Sequence, residues 1–563
     1  MLFNFFCFYR ILPVGFAKYA ANSAFLASLL LLGLQVSQAG SATWRTTPQS
    51  SSWNDLSNWM PHTIPDGSGD VATFQPSSVT SISLAAGITL DSAVFPDGLE
   101  AFTFNLTPGL GINFDGAGVV NNTSNETSQL FFLTGDSTIG PASISFTGNA
   151  MAGHFTFYQL EMSQLAFSGN ASADGATIDA EDFGLVTFSD NATAGQSYLN
   201  IFPQSLPGAS AGAAVFMGNS NAGTASVSAL GANVAGLAAA TVIFQDSANA
   251  AAGSLSAGNG FGKNRAGGQI IFQDNASAAQ AVMLAEPGQN GGQAGSFYFN
   301  GDSSGGTALL FLLGDSVLDI SGHNSPGVSL GDLSGDGRIF LGANNLTIGE
   351  SSFSDTLAGS IRDGGSAGGT GGSLTKVGNG QLTLSGANSY RGGTIIASGL
   401  LTVSNTEGSA TGSGPVQVQP SSVLSGSGVM SGAVTVYGMG HTLGVLEPGS
   451  TDLVGQLTTR SPLTFRGGVY NCTLDRDTVS SDTVAAKKIK IGNGTFALTV
   501  VGSLPLQLGA VFTVLNNISA APIAGTFTSL PEGSVIQLSN PPNNLLVSYL
   551  GGDGNDMTLT VVP

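Results

Sequence analysis

Seven phenylalanines set the rhythm of the central chain. Phe146, Phe167, Phe188, Phe216, Phe244, Phe272 and Phe299 lie 21, 21, 28, 28, 28 and 27 residues apart, and each opens a similar phrase. Phe146-Thr-Gly-Asn-Ala-Met-Ala152 and Phe272-Gln-Asp-Asn-Ala-Ser-Ala278 are two of them. Two residues before each Phe stands an apolar residue: Ile144, Leu165, Val186, Ala214, Val242, Ile270 and Phe297. Alternation with period two puts both positions on one face of a short strand. Two residues after Phe comes Gly or Asp; three after, Asn in five units; six after, Ala in six. Gly, Asp and Asn tolerate the left-handed backbone that turns a corner, and a small Ala restarts the next face. An antiparallel sandwich has no reason to repeat one residue type at one phase through seven units. A parallel β-solenoid does, because each coil stacks on the last at ~4.8 Å. The pattern therefore predicts an internal phenylalanine ladder and an asparagine ladder at a corner or outside. The longer units carry insertions near Leu199–Gly212, Ala229–Ala239, Ala257–Gly268 and Ala285–Gly295. Such insertions collect on one edge, where solenoids place binding sites.

Other segments divide the rest of the chain. Residues 1–39 read as a signal peptide: Arg10 and Lys18, an 11-residue apolar run from Ala24 to Leu34, then Ser37-Gln38-Ala39 as the cleavage site. The run is well short of the ~20 residues a membrane-spanning helix needs. Residues 40–100 are expected to form a cap, since Trp44, Trp53 and Trp59 fall within 16 residues and could cover the apolar end of a stacked core. The alternative is a tryptophan platform for sugars. Residues 101–340 are assigned to the solenoid, 341–460 to a related repeat region and 461–563 to a C-terminal β region. Continuous helix is not expected after residue 40, because Gly, Ser, Thr and Asn interrupt every apolar period.

The repeat region carries a resemblance. Leu374-Thr-Lys-Val-Gly-Asn-Gly-Gln-Leu-Thr-Leu-Ser-Gly-Ala-Asn-Ser-Tyr390-Arg-Gly-Gly-Thr, continuing to Val403, closely resembles the autotransporter-associated β-strand repeat of exported bacterial β-helical proteins. Gly426-Ser-Gly-Val-Met-Ser-Gly and Leu446-Glu-Pro-Gly-Ser450 are similar to the stretch that succeeds that repeat in the family, and the tryptophan module is similar to the family's opening. The resemblance implies an exported, passenger-like β-helix. Two features depart from it: residues after Val403 lack the run of ~10-residue alternating strands of an outer-membrane barrel, and Thr560-Val-Val-Pro563 resembles only the threshold of a sorting tail. Secretion or surface display is expected.

Composition narrows the chemistry. The chain is 42% hydrophobic and 9% charged, with 81 glycines and a net charge of −20. Disordered chains combine low hydrophobicity with high charge, so disorder is excluded. No Lys or Arg occurs between Arg45 and Lys263, which excludes a basic nucleic-acid surface there. With Cys7 in the signal, Cys472 has no disulfide partner. The four histidines, His62, His154, His323 and His441, lack metal-ligand spacing. Gly322-His323-Asn324 and Arg338-Ile339-Phe340 echo polygalacturonases, but the acidic group Asp179, Glu181 and Asp182 lies several coils away. Gly551-Gly-Asp-Gly-Asn-Asp556-Met fits a calcium nonapeptide, yet one copy supplies only part of a shell. No catalytic, cofactor-binding or metal residues are assigned. The chain is read as a non-enzymatic surface, matrix or adhesive structural protein, with extracellular polysaccharide or cell-surface components as expected partners. Its rivals are a polysaccharide hydrolase or lyase on the same fold and a carbohydrate-binding protein.

Overall fold

The computed structural model describes residues 40–122, 129–160, 162–450 and 452–563; the predicted signal peptide lies outside them. The described chain is an alternation of short strands and corners wound into stacked coils, an all-β parallel solenoid as expected. Among the described residues the one helical element is a 3-10 turn at Leu56–Asn58, capped by the Asp55 side chain.

Three walls run along the stack. The first begins at Ala42–Trp44 and proceeds through parallel pairs to Ser360–Arg362. It contains every phenylalanine of the repeat, paired in register: Phe167 with Phe146 and Phe188, then Phe216, Phe244, Phe272 and Phe299 in turn. The second wall follows one corner later, from Ser81–Ser83 to Thr495–Val501. The third is rudimentary at first. Between Gly118 and Ser304 it is a single bridging residue per coil, at Met151, Ser172, Thr193, Asn221, Asn249 and Ser277. From Gly327–Leu330 onward it widens into full strands. The second wall crosses the sequence-assigned segment limits without interruption.

The repeat's physics is visible position by position. The seven phenylalanines are fully buried, and successive rings lie 4.5–5.0 Å apart and within 11° of parallel. Offset or edge-on pairs would suit the ring quadrupoles better, but the strand spacing imposes the stack. Phe114 adds a ring at 4.9 Å from Phe146, outside the sequence period. Two residues beyond each Phe, the backbone is left-handed in all seven coils: Gly148, Gly169, Asp190, Gly218, Asp246, Asp274 and Gly301. Where this residue is Asp, its carboxylate has a second task. Asp190 accepts from the Gly169 amide at 2.9 Å and Asp246 from the Gly218 amide at 3.0 Å, each tying its corner to the coil before. The asparagines that follow are exposed, and Asn149, Asn170 and Asn191 form a short external amide ladder. Ala152, Ala173, Ala194, Ala222, Ala250 and Ala278 are fully buried at the next face, where a larger side chain has no room.

Both ends abandon the parallel pattern. At the start, Trp59–Met60 pairs antiparallel with Ala42–Trp44. At the finish, Val511–Asn517 pairs antiparallel with Asp556–Val562, which in turn pairs with Pro542–Gly551.

Phe244 is held between Phe216 and Phe272, whereas Gln245 sits on the outer side of the strand end and accepts from Gln273. Phe244→Ala is expected to destabilise by ~3–5 kcal/mol, and Gln245→Ala to stay within ~0.5 kcal/mol. Chemical unfolding together with limited proteolysis around this coil checks the contrast, since solenoids unfold segmentally. The opposite ordering would invert the inward and outward phases on which the ladder depends.

Candidate functional site

The insertions form one continuous ledge. Each follows a strand of the second wall: residues 202–212, 230–240, 258–268 and 286–295 connect it back to the first. The four segments are hydrogen-bonded to one another, coil to coil. Gln204 and Ala238 exchange bonds of 3.0 and 3.1 Å, Ala232 N–H donates to Ala266 at 2.7 Å, and Gly260 and Gly262 donate to Gln293 and Gln289 at 2.8 Å. Where two insertions rejoin the wall, glycine is required by close approach. A Cβ on Gly268 or Gly295 would stand 1.9 Å from the carbonyl oxygen of Ala229 or Ala257. Leu206, Val234 and Phe261, about one coil apart, project from the ledge with 53%, 40% and 55% of their surface exposed. Lys263 and Arg265, the first cations after Arg45, stand in its third segment. The ledge is a repeated, backbone-braced edge with an exposed apolar residue on three of its four segments.

The other sequence candidates do not converge. The second wall places Asp179 six strand steps from Asp332–Gly335, about 29 Å at the parallel-strand spacing. Asp179 instead accepts from Asn200 at 2.7 Å, and burial with the charges of Asp179 and Asp182 raises the Glu181 carboxyl above its ordinary range. Arg338 pairs with Asp315 at 3.7 Å, and the His323 ring reaches the Ser303 carbonyl at 2.6 Å. No group of three His, Cys, Asp or Glu side chains converges among the described residues. Gly551 and Asp556 oppose each other in the turn of an antiparallel hairpin, and Asp556 accepts from the Asn517 amide at 2.8 Å. A calcium nonapeptide needs stacked parallel coils, so this phrase is turn chemistry.

The tryptophans are interior. All three are at most 1% exposed, Trp59 meets Trp44 and Trp53 edge-on at 5.1 and 4.8 Å, and each indole N–H donates to a backbone carbonyl. No ring face is open to a sugar, which removes the tryptophan platform. Cys472 is also interior, with burial pushing its thiol well above the usual range. Beside it lies Asp482, fully buried, accepting from the Gly455 and Thr473 amides at 2.7 Å each.

Several buried charged residues escaped sequence reasoning, Asp482, Lys376 and Asp332 among them. Lys376 occupies an inward slot of the third wall, in line with Ile348 and Ile396, and is 1% exposed. Its alternation with Leu374 is the one sequence signal that betrays it. Asp332 takes an outward strand position but is 4% exposed beside the 351–353 turn, a burial no local pattern announces. Burial and the neighbouring Asp355 push its carboxyl up to about 6.

With this geometry in place, the class is a parallel β-solenoid with a side ledge. Residues 374–403 match the passenger-associated-transport-repeat model, which bears out the resemblance. The matched segment is one coil and its overlap: Ser373–Lys376 pairs with Gly393–Ile396 on the third wall, and Gln381–Leu384 with Gly399–Val403 on the second. Among curated proteins none matches the chain. No helix among the described residues is long and apolar enough to cross a membrane.

Burial pushes the Asp482 carboxyl up to about 6 from an ordinary 3.8, against the pull of its two amide donors. The folded state thus holds this proton more tightly than the unfolded chain. Its stabilising contribution is complete below about pH 4 and is lost as pH rises through about 6. The melting temperature of the wild type, minus that of Asp482→Asn, is expected to fall between pH 4 and pH 7. A difference that is flat or rises over that window would show an ordinary carboxylate.

Proposed function

We propose that the chain is an exported, non-catalytic solenoid of the autotransporter-passenger kind, an adhesive or matrix rod that binds through its ledge. The carrying observation is the ledge itself: four insertions in phase, braced to one another by backbone bonds, three of them presenting the exposed Leu206, Val234 and Phe261. A rigid repeat offers many weak, evenly spaced contacts, and such contacts multiply through effective concentration. The passenger-associated-transport-repeat supports export, because its family is that of exported surface proteins. The six strand steps between Asp179 and Asp332 leave the Asp179–Asp182 group without a second carboxylate at working distance, which supports a non-enzymatic reading of the polygalacturonase echo, since working glycosidase carboxylates stand ~5–10 Å apart.

Two measurements test this. Replacing Leu206, Val234 and Phe261 together with Ser is expected to leave the melting transition nearly unchanged while abolishing retention of the protein on cell-surface or matrix polysaccharide. Retention that survives the triple change removes the ledge from adhesion. The wild type is expected to release no reducing or unsaturated ends from pectin, alginate, xylan or chitin. Turnover lost on His323→Ala or Arg338→Ala would make it an enzyme.

A further inference from the structure

The second wall opens at one place. Asp332–Gly335 meets Asp355–Leu357 through a single register pair, Gly335 with Leu357, although the strands on either side pair along their length. The gap is a cavity of about 230 Å³ whose walls include Leu309, Phe311, Ser334, Phe353, Asp332 and Asp355. Phe353 and Phe311 form an exposed apolar rim, with 61% and 41% of their surfaces in solvent. The floor is polar. Ser334 donates to Asp355, and the Asp332 carboxylate, buried from solvent, faces Asp355, the Ser351 hydroxyl and the Phe353 amide. Behind it, Lys376 donates to the Val377 and Gly378 carbonyls, and its charge acts on both aspartates.

The chemistry selects an occupant. Two carboxylates repel a uronate or any other anion. The adjacent Lys376 opposes a metal cation, and no third His, Cys, Asp or Glu completes a shell among the described residues. A neutral ligand with one apolar face and several hydroxyl donors satisfies both rim and floor. The cavity is smaller than the ~300–1,000 Å³ of drug-sized ligand sites, which limits it to about one ring. A column of hydroxyls leads away from it along the outer side of the same wall. Thr356, Thr383 and Thr402 are aligned strand by strand, and Gln381 donates to Thr383 and Thr402 at 3.3 and 3.0 Å. Their ~4.8 Å spacing is close to the repeat of a pyranose in a β-linked chain.

The geometry points to a subsite for one neutral pyranose ring of a polysaccharide, its C–H face on Phe353 and Phe311, its hydroxyls donating to the half-buried Asp355, and its neighbouring rings along Thr356, Thr383 and Thr402. The subsite shares no residue with the ledge and stands or falls separately from the adhesive reading.

Calorimetric titration of the full chain with cellohexaose, maltohexaose and mannohexaose tests it, with polygalacturonate and Ca²⁺ as contrasts. Saturable binding of at least one neutral hexaose is expected, weakened about tenfold or more by Phe353→Ala and by Asp355→Asn. Neither variant threatens folding in the way a change at Asp332 or Lys376 would, because Phe353 is exposed and Asp355 is half-buried rather than enclosed. Binding that is unaffected by both variants overturns the proposal. So does failure of all three hexaoses to bind at millimolar concentration, or binding confined to polygalacturonate or Ca²⁺. The triple ledge variant is expected to bind the hexaose normally, which separates the two sites.

Discussion

Parallel strands stack at ~4.8 Å, and in this chain nearly every residue choice answers to that spacing. A side chain in one coil lies directly over its counterpart in the next, so like must stack on like. Rings that would prefer to meet edge-on are held face to face, from Phe114 to Phe299, and the ladder is then continued by the buried Ile320 and Leu341. The corners obey the same rule. A left-handed residue in one coil forces one in the next, and the choice between Gly and Asp is not neutral. Glycine supplies the conformation alone, whereas Asp190 and Asp246 also bond the amide of the corner beneath. The constraint also creates the problem of the ends, where a parallel wall would leave a row of unpaired backbone groups over an open core. The chain resolves it with antiparallel strands at both ends, and at the start with three tryptophans packed edge-on.

The coil is not constant along the stack. As the third wall widens after Gly327, the first wall shortens and stops at Ser360–Arg362. Buried asparagines then take over the corner that it occupied. Asn388 accepts from the Ile361 amide at 2.7 Å and donates to the Ala410 carbonyl, and Asn405 accepts from Val429 at 2.9 Å. An asparagine can satisfy both a donor and an acceptor, so it replaces a strand's ladder bonds without a strand. The pocket of Asp332 and Asp355 lies in this zone of change, where two strands of the second wall are least able to stay in register.

What the sequence displayed was what repeats. The phenylalanine phase, the left-handed Gly or Asp and the insertion edge were legible because seven copies average out local noise. Phe114 was hidden since 32 residues separate it from Phe146, breaking the interval. Asp332 was hidden for a different reason: its burial depends on the turn that covers it, which tertiary placement settles, whereas Lys376 was marked only by its alternation with Leu374. The Gly551–Asp556 phrase shows the converse. It fits a repeat motif as letters, but its neighbours in space are antiparallel, and a single copy has no coil to share.

Ledge and pocket illustrate two ways in which one rod can bind. Along the ledge, the same corner is presented again and again, so no single contact has to be strong and loss of one coil is tolerated. This favours adhesion to extended or heterogeneous surfaces. The pocket occurs once and departs from the repeat in charge, register and burial. A stacked core tolerates such a departure only where neighbouring groups offset it: Lys376 against the two aspartates, Ser334 against Asp355. Repetition supplies avidity, and the break in repetition is where the fold can discriminate.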